Sequence, residues 1–198
     1  MVIHVVQPGE TIYSLELENN VHMSQIALDN GLETTLRLDV GQALVIRFPQ
    51  AVHTVQSGES LSSIARLYQV SLRTLYQNNP ILAGRENLWP GETLVIAYRD
   101  EPTESIFVNA YAYTDISDHL LYSTLPFLSY LTPFTYGFTP TGELVVPDDT
   151  RLIAAARSRG VASLMHLSTL TEEGGFSNEL AHLILNDRSL QEKVTNNI

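Results

Sequence analysis

The sequence has no cysteine, a single tryptophan and half as many basic as acidic side chains, 11 Lys and Arg against 22 Asp and Glu, for a net charge of −11. Without thiols there are no disulfides and no thiolate metal sites, a state that suits reducing and oxidising compartments alike. The shortage of cations repels phosphate backbones and anionic headgroups, and no basic stripe overrides it, so neither nucleic acid nor a membrane surface is an expected partner. Solubility alone is a sufficient reason for the acidity. No run of 18 apolar residues is present to form a spanning helix. The opening MVIHVVQPGE has no basic segment leading into an apolar one, so synthesis in the cytosol without a secretory signal is expected. The six histidines lack H-E-x-x-H spacing and no G-x-S-x-G elbow occurs, so the reading calls for no metal, no cofactor and no serine nucleophile.

What is present is a repeat. HVVQPGETIYSL from His4 and HTVQSGESLSSI from His53 align so that Gly9 falls over Gly58, Glu10 over Glu59, Val21 over Val70 and Asn30 over Asn79. One extra residue in the second copy then brings GQALVI (41–46) over GETLVI (91–96). Each copy opens and closes with a short β-favouring run. Between these runs, Leu61, Ile64, Ala65 and Tyr68 form a helical stripe behind an N-capping Ser60, and Leu72, Leu75 and Tyr76 form a second behind Ser71; Thr11 caps the first helix of copy one. The glycine allows the sharp exit from the strand and the hydroxyl serves the orphan N–H groups of the helix. A strand-to-helix turn needs these residues whether or not it binds anything. The expected unit is βααβ, with both helices on one face of a two-stranded sheet and the turns at 9–12 and 30–32, or 58–61 and 79–82, side by side.

Both copies, residues 1–48 and 51–98, resemble LysM modules, whose pattern is a G-[DE]-[ST]-[LI] turn, an Asn-Pro or similar pair ending the second helix, and a closing G-x-x-L-x-I. The resemblance implies binding of N-acetylglucosamine-containing glycans, peptidoglycan or chitin, between the two turns. The implied site is Gly9, Glu10, Thr11 and Ile12 with Asn30, Gly31 and Leu32 in copy one, and Gly58, Glu59, Ser60 and Leu61 with Asn79, Pro80, Ile81 and Leu82 in copy two. Backbone groups would meet acetamido and hydroxyl groups, and the apolar side chains would cover the N-acetyl methyl. Two tethered weak sites suit a polymeric ligand, raising avidity by about 10²–10⁴. Copy one departs at Glu16, where copy two has Ala65, and at Asn30-Gly31 against Asn79-Pro80.

Residues 99–105 gather charge around Pro102 and read as a linker. In 106–198 the pattern changes: IFVNAYAY (106–113) is a candidate buried strand and FTYGFT (134–139) alternates aromatics. An alanine-rich helix stops at Gly160, a strand follows through 162–168, and helices follow Ser177 and Asp187. Strands separated by helices imply βα units and a mainly parallel sheet.

This half resembles the first three βα units of a family 18 glycoside hydrolase, an incomplete TIM barrel. More narrowly, it resembles LysM-bearing N-acetylglucosaminidases of spore germination, which implies a spore coat, cortex or cell-wall location. The family's D-x-x-D-x-D-x-E signature, whose glutamate is the general acid, does not occur in residues 1–198. A closed barrel takes about 250 residues, so the chain is expected to stop before the catalytic strand and to show no hydrolysis alone. Tyr111, Tyr113, Tyr136, Phe138 and His166 are candidates for a sugar subsite at the barrel mouth, against the plain alternative that they fill the core. A complete, non-enzymatic attachment protein with a small open α/β half is the second reading, and a structural coat component the third. Oligomeric state has no signature in the sequence. Because copy one departs from the pattern, deleting 51–98 is expected to weaken retention on insoluble peptidoglycan more than deleting 1–48, as read by pull-down.

Overall fold

The computed structural model describes residues 1–32, 37–100 and 104–198. In the first copy, β1 (Val2–Val5) leads through a turn into α1 (Ile12–Asn19) and α2 (Met23–Asp29), and β2 (Ala43–Ile46) returns antiparallel to β1. In the second, β3 (Pro49–Thr54), α3 (Leu61–Tyr68), α4 (Leu72–Asn78) and β4 (Thr93–Tyr98) repeat the arrangement, with a 3₁₀ turn at Pro80–Leu82. The caps fall where the hydroxyls predict. Thr11 and Ser60 are extended and each accepts from the third helical amide, Ser14 or Ser63, whose hydroxyl accepts in return from the cap's own N–H.

A two-stranded sheet is marginal on its own and needs a packed face. The helices supply one: Leu61, Ile64, Ala65, Leu75 and Tyr76 close over Val55, Leu94 and Ile96, and Ile12, Leu15, Ile26 and Ala27 close over Val6, Leu44 and Ile46. Two members of the expected stripes stay outside. Tyr68, on the last turn of α3, stands edge-on to His53 with its hydroxyl 3.1 Å from Nδ1, and Leu72 is exposed at the first turn of α4. Glu16, the departure of copy one, is absorbed into the packing: Oε2 accepts from the Met23 N–H at 3.1 Å, satisfying a first-turn donor of α2.

The edge of each small sheet is closed by an asparagine. Val95 donates to Asn79 Oδ1 at 2.7 Å, and Asn79 Nδ2 donates to Val95 O and Leu75 O at 2.8 Å. Asn30 makes the same pair of bonds to Val45 at 2.7 Å.

The two copies join through polar groups. Arg47 lies 3.4 Å over the Tyr98 ring, Gln25 Nε2 donates to Tyr98 Oη at 3.0 Å, and Arg99 donates from its backbone to Phe48 O at 2.9 Å. Asp29 sits there with its side chain 3% exposed, 3.9 Å from Arg47. Burial pushes its carboxyl up, with Arg47 pulling the other way; burial and the Asp29 charge push Tyr98 up to about 12. Asp100 pairs with the Met1 amine, and Glu101, Pro102 and Thr103 of the expected linker lie outside the described residues.

Met1–Ser105 and Ile106–Ile198 are separate compact units. In the second, β5 (Asn109–Ala112), α5 (Asp118–Thr124), β6 (Tyr130–Pro133), α6 (Thr150–Ser158) and β9 (Ala162–Ser163) form a parallel sheet of order β5-β6-β9. A hairpin of β7 (Gly137–Phe138) and β8 (Leu144–Val145) precedes α6, and α7 (Asn178–Asn186) and α8 (Arg188–Asn196) follow β9. Leu121, Leu125, Leu152, Ala155 and Ala156 pack with Leu131 and Ala112 of the sheet. Phe138 packs with Leu180, Leu190 and Val194 in a second cluster. Gly137 passes so close to the Leu170 carbonyl that a Cβ would collide with it.

Here the strands differ from expectation. The first is shorter than 106–113, and Ile106 and Phe107 are 78% and 82% exposed. The second lies at Tyr130–Pro133, upstream of the aromatic alternation, and the strand expected through 162–168 pairs only at Ala162–Ser163 and again at a bridge from Leu167 to Tyr136. Helix α5, capped by Ser117, lies between β5 and β6. Among the described residues no helix is long and apolar enough to cross a membrane.

Replacing Asn79 with Ala strands two groups of buried Val95. At about 1–3 kcal/mol per unpaired group, urea unfolding followed at amides of 51–98 should show a loss of about 3 kcal/mol; Asn30→Ala, at a half-buried position, should cost less.

Candidate functional site

The first wall of each candidate groove is a turn held from within. Gln7 through Glu10 and Gln56 through Glu59 close with backbone bonds of 3.2 Å, and Gly9 and Gly58 sit at φ +87° and +85°, the conformation that a type II turn demands at its third residue. The glutamate then locks the turn. Glu59 Oε2 accepts from the Gln56 N–H at 2.7 Å and lies 2.7 Å from His53 Nε2; Glu10 does the same with Gln7 (2.8 Å) and His4 (2.7 Å). The backbone bond from Gln7 or Gln56, followed by the histidine, holds each carboxyl below the ordinary glutamate value.

The second wall begins at Asn30 or Asn79. Asn79 is 5% exposed and its amide is bonded to Val95 and Leu75, so its side chain positions the 80–82 turn and leaves the backbone groups of that turn as the candidates for a ligand. The amide of Asn30 is spent likewise. Thr11 and Ser60 are committed to their capping boxes, and Glu10 and Glu59 to their turns. Ile12, Leu61 and Leu82 are 6%, 4% and 0% exposed and fill the cores, so they cannot cover an acetyl methyl from outside. What remains at the surface is Gly9 and Gly31 beside half-buried Leu32 in copy one, and Gly58, Pro80 and Ile81 in copy two, with Ile81 52% exposed.

In the second unit the strand ends bring together a cluster of rings that the sequence marked only in part. Phe134 is its centre. Tyr113 meets it edge-on at 5.0 Å, His166 stacks on it at 5.7 Å, Phe176 lies at 6.2 Å and Tyr111 at 6.3 Å. Tyr111, Tyr113 and Phe176 are 59–65% exposed, and Tyr113, Phe134 and Phe176 border a cavity of about 380 Å³. His166, half-buried, has Nδ1 2.7 Å from Thr135 Oγ1. Two candidates leave this cluster. Tyr136 donates to Asp149 at 2.5 Å, and burial followed by that carboxylate pushes its phenol up to about 12; Phe138 is 2% exposed in the cluster beneath α7 and α8. Phe176 has no periodic signal, since it follows Gly174-Gly175 in a loop.

Residues 4–47 and 53–97 match the LysM domain family. These two segments are LysM domains. The match spans the paired turns of both and stops short of the second unit. Taken whole, the chain is 33% identical over 199 residues to the cortical fragment-lytic enzyme of Bacillus anthracis, covering 99% of this chain and 46% of that protein. Among solved structures it resembles the Bacillus cereus spore cortex-lytic enzyme SleL (TM-score 0.64, 29% identity, 99% of this chain and 46% of that one). The Bacillus megaterium QM B1551 enzyme SleL is similar too (TM-score 0.63, 26% identity, 98% and 46%). The chain spans about half the length of the curated relatives it matches.

A carboxyl whose folded pKa is depressed stabilises the fold above its unfolded value, and that contribution is lost as pH falls through the folded value. Both LysM turns should therefore hold from neutral pH down past 4.5 and loosen only in stronger acid; the Gln7 and Gln56 amide resonances should titrate with midpoints below 4.5.

Proposed function

We propose that the two LysM domains bind N-acetylglucosamine-containing glycan of the peptidoglycan or chitin type, each in the groove between its glutamate-locked turn and its asparagine-pinned turn. The observation that carries the reading is the pairing of these turns, built twice by the same bonds: a Glu to the Gln amide on one side, an Asn to the strand on the other. Neither wall needs to reorganise to receive a ligand, which lowers the cost of binding. The groups offered are backbone amides and carbonyls beside Leu32 or Ile81. The ordered joint between the domains supports simultaneous engagement of one polymer.

For residues 106–198 the proposal is the opening of a (β/α) barrel of family 18 type, with Tyr111, Tyr113 and His166 around Phe134 facing sugar. Three parallel strands with helices packed on one face support it, as does the resemblance to spore cortex-lytic enzymes. On this reading the protein works on the cortex or wall of a spore, the glycan domains bringing a cortex-lytic activity to its substrate. The domain limits proposed are 1–48, 51–98 and 106–198.

Titrating the chain with chitotetraose should shift the amides of 58–61 and 79–82 more than those of 9–12 and 30–32, because Ile81 is exposed where copy one has half-buried Leu32. If no amide in either domain moves at millimolar ligand, glycan binding by these turns is refuted.

A further inference from the structure

Trp89, the single tryptophan, is 61% exposed on the loop between the 3₁₀ turn and β4. One exposed aromatic is unremarkable by itself. This one is mounted. The Arg85 guanidinium lies over the indole at 4.3 Å from the ring centroid, and is itself paired with the Glu92 carboxylate and bonded to the Asn87 carbonyl. Trp89 donates from its backbone to Glu92 Oε2 at 3.3 Å, and Glu92 returns a backbone bond to Trp89 O at 3.0 Å.

Both ends of the mount run into the walls of the proposed groove. Arg85 donates to Leu82 O at 2.8 Å, at the end of the second wall. Gly91 donates to Val55 O at 2.9 Å and Val55 to Glu92 O at 2.8 Å, three residues before Gly58 in the first wall. Tyr76 Oη donates to Arg85 O at 3.2 Å and ties the loop to α4. The result is an indole with a cation on one face and its remaining surface toward solvent, fixed before any ligand arrives. Copy one has no counterpart: with Leu38 over Leu88 and Gly41 over Gly91, Asp39 stands in place of Trp89, its backbone N–H bonded to Gln42 Oε1.

We propose that Trp89, backed by Arg85, is a stacking platform for one pyranose ring of the glycan, lengthening the site of the second LysM domain by a subsite that the first lacks. A β-linked amino sugar presents an apolar face of axial C–H groups, which a flat, pre-positioned ring covers without the entropy cost of ordering a loose side chain. The cation behind the ring is spent on Glu92, so recognition rests on ring contact and not on an anionic group of the glycan. This inference rests on the glycan-binding reading given above.

Because the chain has one tryptophan, its emission reports on this position alone. The full chain is titrated with N-acetylglucosamine tetramer and hexamer, following both tryptophan emission and the amides of 58–61 and 79–82. The expected result is an emission change that saturates with the amide shifts, an about tenfold weaker Kd for Trp89→Ala, and affinity largely kept in Trp89→Phe. Unchanged melting of the exposed-site variants shows that they fold. Amide shifts with unmoved emission and an undiminished Trp89→Ala affinity would overturn the platform while leaving groove binding intact. Silence in both readouts at millimolar ligand would overturn the glycan reading and the platform together.

Discussion

Each N-terminal domain depends on one side-chain amide that stands in for a third strand. β2 and β4 have a partner on one side only, and the N–H and C=O of Val45 and Val95 turn away from it. Left unpaired inside the fold, those groups would each cost more than an ordinary hydrogen bond contributes. Asn30 and Asn79 meet both at once with the donor and acceptor of a single amide, as a neighbouring strand would. The same bonds fix where the second helix ends, because the amide belongs to the residue at its C-terminus. From there the second copy turns through 80–82, whose Leu82 packs in the same core as Leu61 at the head of the first helix. The placing of the second turn is thus a consequence of closing a sheet that is too small to close itself.

The parts of this fold legible in the sequence are those set by local chemistry. Thr11, Ser60, Ser71, Ser177 and Asp187 cap helices where a hydroxyl or carboxylate precedes an apolar stripe, and Gly9 and Gly58 adopt the positive φ that their turns require. The repeat made the first unit readable twice over. The role of the Asn79 side chain was not legible, because an asparagine at a turn looks the same whether its amide faces a ligand or a strand distant in sequence. The parallel sheet was harder. Its strands are two to four residues long, too short for alternation to register, and apolar neighbours such as Ile106 and Phe107 extend the apparent run into exposed chain. Tyr136 and Phe138 share the alternation of Phe134, yet a bridge at Tyr136 and a separate hairpin at Phe138 send the three rings to different surroundings. Alternation within a strand says which residues share a face only where the strand is continuous.

The two LysM domains are equal in scaffold and unequal in surface. Glu16 in place of Ala65 looked like a flaw in the first, but it trades an apolar contact for a cap on α2 and leaves the core closed. Among the differences that reach solvent are Pro80 against Gly31, Ile81 against Leu32 and Trp89 against Asp39, and on the proposed reading the last two favour the second domain.

On the proposed reading, a strong site beside a weak one serves the binding of a polymer only if their spacing is held. The joint at Tyr98 holds it at some expense in charge burial. Asp29 is enclosed with Oδ2 unbonded, and its nearest cation is 3.9 Å away, so its carboxyl resists ionisation. A folded pKa raised above the unfolded 3.8 means that acid favours the joint, opposite in sign to the turns, where acid protonates Glu10 and Glu59 and releases them. Falling pH thus acts on the joint and on the turns in opposite directions, so the link between the domains does not share the acid lability of their turns.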